Sequence, residues 1–263
     1  MAIPFFAPGD DPGPDFVELL KRSGPTEGPE LPATGTMPTV PHGTTVVALR
    51  YADGVVMAGD RRATAGNWIS HRRIEKVFPA DRHSGIAIAG AAGPAVEMVK
   101  LFQLQLEHYE KVEGSQLSLE GKANQLSGMV RGHLPAAMQG MAVVPIFAGY
   151  DHRREVGRLF EYDVTGGRYE EQAYASSGSG SLHASTVIKI GHRDDAPRDE
   201  VVRLAVRSLM VAADEDSATG GPDHRRGIFP VVATITSAGF ERLDDEELAA
   251  ISSSIEDGGE VGR

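Results

Sequence analysis

The chain has 263 residues, 41% of them hydrophobic, and it contains no cysteine. This length fits one large domain or two small ones, and the lack of cysteine excludes disulfides, thiolate zinc sites and thiol catalysis and suits a reducing cytoplasm. A formal charge of −11 disfavours binding to a nucleic-acid backbone, which requires clustered Lys and Arg. No apolar run approaches the roughly 20 residues that span a membrane, and the start lacks the pattern of a secretory signal.

Residues 1–43 are predicted to form a loosely structured leader. Nine of the sixteen prolines lie there, together with six glycines. The only periodic stretch is a predicted turn of helix at Phe16–Lys21. Such a composition is typical of a disordered tail.

From Thr44 onward the sequence alternates between strand and helix patterns. Residues 44–50 alternate as in a half-buried strand, and Asp53-Gly54 predicts a hairpin to the next strand. We predict, in chain order, strands over 44–50, 54–58, 75–78 and 85–89, helices from Pro94 and over 119–138, strands over 142–150, 157–164 and 168–175, helices over 181–190 and 199–213, strands over 229–236 and 240–243, and a helix over 244–255. This order indicates two antiparallel sheets packed together with helices outside. By composition alone, SSGSGS at 176–181 indicates a flexible loop.

Thr44 follows Gly43 directly at the end of the leader, and this position suggests that it acts as a nucleophile. A threonine hydroxyl is a weak nucleophile that needs a base. At a chain terminus its own amine, with a reference pKa of about 7.7–8, supplies that base. Removal of residues 1–43 would create such a terminus, and Gly43 leaves its carbonyl open to attack. The alternative is that Thr44 and Thr45 merely begin a strand, where threonine is favoured anyway.

Three further features fit a threonine nucleophile. Lys76 would favour the alkoxide of Thr44, and Asp60 would supply the carboxylate that a buried lysine requires. The stretch from Gly90 to Pro94 joins a strand to a helix N-terminus, where backbone N–H groups can hold an oxyanion. Taken singly, Asp60 would be an ordinary strand-end acid and Lys76 an ordinary surface lysine, and the stretch from Gly90 can be a tight turn and an oxyanion site at once. No G-x-S-x-G or H-E-x-x-H motif is present.

With these residues in place, the chain resembles a β subunit of the core proteasome, in its actinobacterial form. The motifs occur in family order and at family spacing, with sixteen residues from Thr44 to Asp60 and sixteen more to Lys76. They are GTTV at 43–46, GDRRATAGN at 59–67, GAAG at 90–93, GSGS at 178–181 and DSATGG at 216–221. The resemblance covers residues 43 to about 245.

The resemblance implies an α+β fold, the four-layer αββα sandwich of two antiparallel sheets that defines N-terminal-nucleophile hydrolases. Residues 1–43 would be a propeptide, removed by autocatalytic cleavage between Gly43 and Thr44. Residues 44–263 would form the hydrolase domain, with a frayed tail from about 256. Thr44 would be the nucleophile, Asp60 and Lys76 its charge partners, and the N–H of Gly90 the oxyanion donor.

Other implied roles concern the amine and the substrate. Ser179, Asp216 and Thr219 would support the amine of Thr44, with Thr219 standing where many relatives have serine. Main-chain groups of Thr64 and Ala92 would pair with an extended peptide. The primary specificity pocket would be lined by apolar residues, which predicts cleavage after bulky apolar residues: Ala63, Ile74, Ile88, Ala92 and Val96. The alternative is that several of these simply fill the core.

The resemblance also implies an assembly in the cytoplasm. Heptameric β rings would stack between rings of α subunits, and an ATPase ring would deliver unfolded proteins. Peptide hydrolysis itself would need no ATP, metal or organic cofactor. Two alternatives stay open: a catalytically silent structural β subunit, and a small-molecule amidase of the same fold. The joint presence of Gly43, Thr44, Asp60 and Lys76 favours an active endopeptidase over the silent subunit.

Overall fold

The computed structural model describes residues 44–259 and 261, so the predicted leader, its helical turn at 16–21 and Gly43 lie outside the described residues. The elements in chain order are β1 (Thr45–Tyr51), β2 (Gly54–Gly59), β3 (Ala63–Ala65), β4 (Trp68–His71), β5 (Val77–Asp81), β6 (Ser84–Gly90), α1 (Ala92–Glu113), α2 (Leu119–Gly132), α3 (Leu134–Ala137), β7 (Val143–Asp151), β8 (Val156–Tyr162), β9 (Arg168–Glu171), β10 (Tyr174–Gly178), α4 (Ser181–Gly191), α5 (Arg198–Glu215), β11 (Val231–Thr236), β12 (Gly239–Arg242) and α6 (Asp245–Asp257).

Two five-stranded antiparallel sheets pack face to face. The first sheet has the order β10-β1-β2-β11-β12 and the second β5-β6-β7-β8-β9. One apolar core lies between the sheets, a second between the first sheet and helices α4, α5 and α6, and a third between the second sheet and helices α1 and α2. The predicted αββα sandwich is therefore confirmed. In the described part of the chain, no helix is long and apolar enough to cross a membrane.

The first strand is buried on both faces, so the half-buried pattern predicted for 44–50 was wrong. Val47 and Leu49 pack against the helices, whereas Val46 and Ala48 pack against the second sheet. All six residues of β2 are buried as well. A central strand between two covered faces becomes an almost continuous apolar run.

Three other segments differ from the predicted elements. The strand predicted over 168–175 is two strands in different sheets, β9 and β10. The hairpin of β3 and β4 was missed, because the two strands have only three and four residues. The helix predicted to reach residue 138 ends at Gly132, since Pro135 lacks the N–H needed to continue it. The last helix continues to Asp257, past the start predicted for the tail.

The register of β1 brings distant segments together at one end of the sandwich. Val46 pairs with Gly59 on β2, and Thr45 pairs with Gly178 on β10. The residues that follow β2 and β10, Asp60 and Ser179, therefore lie beside the start of β1. This end of the first sheet carries the candidate site.

Candidate active site

Asp60 is the fixed centre of the site. Its side chain is fully buried and accepts four hydrogen bonds. Oδ1 accepts from the N–H of Thr45 at 2.8 Å and from Nζ of Lys76 at 2.6 Å. Oδ2 accepts from the N–H groups of Arg62 at 2.8 Å and Gly220 at 2.9 Å. A carboxylate has about four lone-pair positions, so each has a donor.

Lys76 lies just before β5, and only 5% of its side chain is exposed. Besides Asp60, its ammonium donates to the carbonyl of Arg62 at 2.6 Å. Burial lowers the pKa of Lys76, because a charged ammonium loses its hydration; the nearby Asp60 opposes this change only in part. The amino group of Lys76 is thus shielded from solvent and shares Oδ1 of Asp60 with the N–H of Thr45.

Thr44 immediately precedes β1 and is 5% exposed. Its carbonyl accepts a hydrogen bond from the N–H of Ser179 at 2.9 Å. The neighbouring Gly178 has φ = 105°, a conformation that favours glycine. The run SSGSGS is thus the end of β10 and the start of α4, and the flexible loop indicated by its composition was wrong.

Asp216 ends α5 and gathers three hydrogen bonds. The hydroxyls of Ser179 and Thr219 donate to Oδ2 at 2.5 and 2.6 Å, and the N–H of Ala218 donates to Oδ1 at 3.1 Å. Burial raises the pKa of Asp216, but these hydrogen bonds outweigh it and hold the pKa below its ordinary value. A carboxylate is thereby held next to the chain segment that carries Thr44.

Four groups in this network were missed by sequence reasoning. They are the side chain of Thr45, the main chain of Arg62, and the N–H groups of Gly180 and Gly220. Three of the four act through the backbone, which by itself does not require a particular side chain. The sequence signals are the two glycines: a β-carbon at Gly180 would lie 2.5 Å from the hydroxyl oxygen of Thr45, and one at Gly220 would lie 2.9 Å from the β-carbon of Arg62.

Gly90 ends β6 and precedes the first turn of α1. Its φ is 117°, and a β-carbon there would lie 2.1 Å from the carbonyl oxygen of Ala142, so only glycine fits. Helix α1 begins without a side-chain cap and without an acidic residue in its first turn. Its N-terminal N–H groups and the positive end of its dipole are therefore left for an anion.

The predicted substrate-contacting residues occupy three places. Ala63 and Thr64 lie on β3, which pairs only with β4 among the described strands and so has a second, unpaired edge. Ile74 precedes β5, and its N–H donates to the carbonyl of Arg61. Ile88 lies inside β6, where its N–H donates to the carbonyl of Lys76.

The exposure of the pocket residues separates them further. Ile88 is only 5% exposed and belongs to the core under α1, as the core-filling alternative expects. Ala63, Ile74 and Val96 are partly exposed, and Ala92, the first residue of α1, is exposed. Four of the five residues are thus accessible to a ligand.

The arrangement can support attack by a hydroxyl on a carbonyl. It places a buried lysine, the carboxyl groups of Asp60 and Asp216 and an uncapped helix N-terminus around the start of one strand. Positive charge favours the negative oxygen of an alkoxide or a tetrahedral intermediate. Such groups suit acyl transfer.

Comparison with known proteins gives a consistent family. A family model described as proteasome subunit matches residues 40–224. The chain is similar to a protein named proteasome subunit beta from Acidimicrobium ferrooxidans, 57% identical over 256 residues, which is 97% of this chain and 94% of the relative. Proteins of the same name from Streptomyces griseus and Acidothermus cellulolyticus are 55% and 52% identical; these matches span 95% and 96% of this chain and 89% and 88% of the relatives.

Proposed function

The chain belongs to the proteasome subunit family, and on that premise we propose that it is a catalytically active β subunit of the core proteasome, a threonine endopeptidase with Thr44 as nucleophile. The observation that most favours activity over a silent structural role is the buried pair of Lys76 and Asp60, 2.6 Å apart. Unlike the buried pair of Lys122 and Asp81, this pair is joined through Oδ1 of Asp60 to the N–H of Thr45, the residue next to the proposed nucleophile.

Maturation is the first reaction of Thr44. In the full chain its nitrogen is part of the peptide bond to Gly43. Its Oγ attacks the Gly43 carbonyl, the acyl group moves from nitrogen to oxygen, and the hydroxyl proton ends on the nitrogen. Water then hydrolyses the ester, which releases residues 1–43 with a new carboxylate and leaves a free amine on Thr44.

Peptide hydrolysis uses that amine as the base. It takes the proton of the Thr44 hydroxyl while Oγ forms a bond to the substrate carbonyl. The ammonium then returns the proton to the leaving nitrogen as the C–N bond breaks, and an ester remains on Thr44. Water, activated by the same amine, hydrolyses the ester and restores the hydroxyl.

The surrounding groups have separate roles. Lys76 stabilises negative charge on Oγ and lowers the pKa of the amine, and Asp60 holds Lys76 in place. The cluster of Ser179, Asp216 and Thr219 solvates the amine. The N–H of Gly90, at the start of the uncapped helix α1, donates to the oxyanion.

The substrate is proposed to be an extended, unfolded polypeptide. The unpaired edge of β3 at Thr64, together with the main chain of Ala92, offers main-chain hydrogen bonds to an added strand. The nearby side chains of Ala63, Ile74 and Val96 are apolar, which favours cleavage after bulky apolar residues.

The assembly follows from the family. Heptameric β rings lie between rings of α subunits in the cytoplasm and enclose the active sites, and an ATPase ring bound to the α ring delivers unfolded chains. Enclosure protects folded proteins from a peptidase with weak selectivity.

The decisive experiment is intact mass measurement of the subunit after co-expression with its α partner. Wild-type subunit is expected to begin at Thr44, and Thr44→Ala to keep residues 1–43, to assemble and to lack peptidase activity. Thr165→Ala, which changes an exposed turn residue, is the matched control and should mature normally. An active particle whose subunits retain residues 1–43, or peptidase activity in Thr44→Ala, would overturn the proposal. Wild-type subunit that assembles but neither matures nor cleaves peptides would instead identify a silent structural subunit.

A further inference from the structure

The side chain of Thr45, the residue after the proposed nucleophile, is held by two polar partners in the interior. Thr45 is fully buried. Its Oγ1 accepts a hydrogen bond from the N–H of Gly180 at 3.0 Å and lies 2.6 Å from Oγ1 of Thr219. These two contacts satisfy the buried hydroxyl and tie it to the segments that carry Gly180 and Thr219.

Asp216, the final acceptor in this series of hydrogen bonds, fixes their direction. Thr219 has one hydroxyl proton, and it goes to Oδ2 of Asp216 at 2.6 Å, because an ionised carboxylate only accepts. The contact between the two threonine hydroxyls therefore requires Thr45 to donate and Thr219 to accept. The protons run in one order, from Thr45 to Thr219 to Asp216.

The main chain of Thr45 is bound on the other side of the site. Its N–H donates to Oδ1 of Asp60 at 2.8 Å, and its carbonyl accepts from the N–H of Asp60 at 3.1 Å. Oδ1 of Asp60 is also the atom that binds Lys76. Thr45 is thus hydrogen-bonded both to Asp60, the carboxylate partner of Lys76, and to Thr219 in the cluster around Asp216.

We propose that Thr45 is a positioning residue whose hydroxyl fixes the place of Thr44 between the Asp60–Lys76 pair and the Ser179–Asp216–Thr219 cluster. The inference rests on the proposed function, in which Thr44 is the nucleophile. Thr45 lies below the surface and acts through the peptide bond to Thr44, so its removal affects the orientation of the nucleophile rather than the binding of substrate.

The informative variants are Thr45→Val, which keeps the branched shape and removes the hydroxyl, and Thr45→Ser, which keeps the hydroxyl and removes the methyl. Without the hydroxyl, Gly180 loses its acceptor and Thr219 loses its donor. Displacement of a reacting group by about 1 Å costs on the order of 10²-fold in rate. We therefore expect kcat of Thr45→Val to fall by about 10- to 100-fold, with KM within about twofold of wild type.

The matched control is Tyr162→Phe. It also removes one buried hydroxyl, which donates to the carbonyl of Ala123 at 2.8 Å, but it lies between β8 and α2 in the other half of the sandwich. We expect Tyr162→Phe to lower thermal stability and to keep the kcat of wild type. This comparison separates a loss of stability from a loss of orientation.

The measurement uses the full-length chain co-expressed with its α partner. Intact mass gives the rate of precursor loss and the mature fraction, to which kcat for a small fluorogenic peptide is normalised. Slow maturation or low normalised kcat in Thr45→Val, with both rates restored to within about threefold in Thr45→Ser, supports the inference. Wild-type rates in Thr45→Val, equal losses in both variants, or a loss confined to KM would overturn it. Activity in Thr44→Ala would instead overturn the proposed function.

Discussion

The main chains of Gly178 and Thr44 are in close contact, and a β-carbon on Gly178 would lie 1.7 Å from the carbonyl oxygen of Thr44. The φ of 105° at Gly178 is also unfavourable for any other residue. We expect Gly178→Ala to lower the free energy of unfolding by about 2–4 kcal/mol and to prevent self-cleavage, because the start of β1 must shift. Urea unfolding and intact mass measure the two effects.

The control for Gly178 is Gly128→Ala. Gly128 is an exposed position inside α2 where a β-carbon meets nothing within 4 Å. This change should raise the free energy of unfolding by about 0.5–1 kcal/mol, as alanine favours helix over glycine. If Gly178→Ala matured and unfolded like Gly128→Ala, the contact with Thr44 would not constrain the site.

A second prediction compares two buried lysines that each bind a carboxylate. Lys76 binds Asp60 in the candidate site, and Lys122 binds Asp81 between α2 and β5. Replacement of either lysine by Met should lower the free energy of unfolding by about 3–5 kcal/mol, because a buried carboxylate loses its cation. Only Lys76→Met should also abolish peptidase activity and maturation. Equal activity in the two variants would exclude Lys76 from the reaction.

A third prediction concerns acid stability and Asp216. Its pKa in the folded protein lies below the ordinary value of 3.8, so the folded state binds fewer protons than the unfolded state in this range. The stabilisation is present in full above the ordinary pKa and disappears as the pH falls through the folded pKa. Thermal unfolding of wild type and Asp216→Asn should therefore differ by a constant amount near neutral pH. The difference in stability should shrink below about pH 4. A difference that stays constant below pH 4 would contradict a lowered pKa for Asp216.

A fourth prediction concerns Arg158, which is far less exposed than most arginines. Only 5% of its side chain is exposed, and it binds Glu120, Asp151 and Glu170 at 2.6–3.1 Å. The hydrogen bonds that Arg158 donates to the carboxylate of Glu170 are the main cause of its raised pKa. We expect Arg158→Met to lower the free energy of unfolding by about 3–5 kcal/mol, since three carboxylates lose a shared cation.

Arg154→Met is the control for Arg158. Arg154 is 63% exposed and lies 4.0 Å from the same Asp151. An exposed pair of this kind contributes about 0–1 kcal/mol, so denaturant unfolding should detect little change. Activity should survive in both variants, and a loss of kcat in Arg158→Met would show that the network reaches the site.

The sequence was sufficient for the elements that carry the site. The apolar pattern of Gly54–Gly59 is followed by Asp60, and the GIAIA stretch at 85–89 is followed by Gly90. The ends of these two strands were therefore predictable from periodicity. The family motifs then supplied the grouping of Thr44, Asp60 and Lys76. The local hydrophobic pattern and the spacing of motifs can both be read from the linear sequence.

The missed features depend on pairing between distant segments. Gly180 reaches Thr45 because β10 pairs with β1 in one particular register, and Thr219 reaches it from the segment after α5, which packs on the first sheet. The chain between β9 and β10 passes from one sheet to the other, which a continuous strand pattern over 168–175 conceals. The composition of residues 176–181 predicted a flexible loop, but the small residues of this segment allow its main chain to lie close to that of Thr44.

The four hydrogen bonds to Asp60 fix its carboxylate in the site. Every lone-pair position of the carboxylate already has a donor, so none is left for a further ligand. In the proposed function Asp60 is the fixed partner of Lys76. Its carboxylate holds three separate stretches of main chain in place, because it binds the N–H groups of Thr45, Arg62 and Gly220.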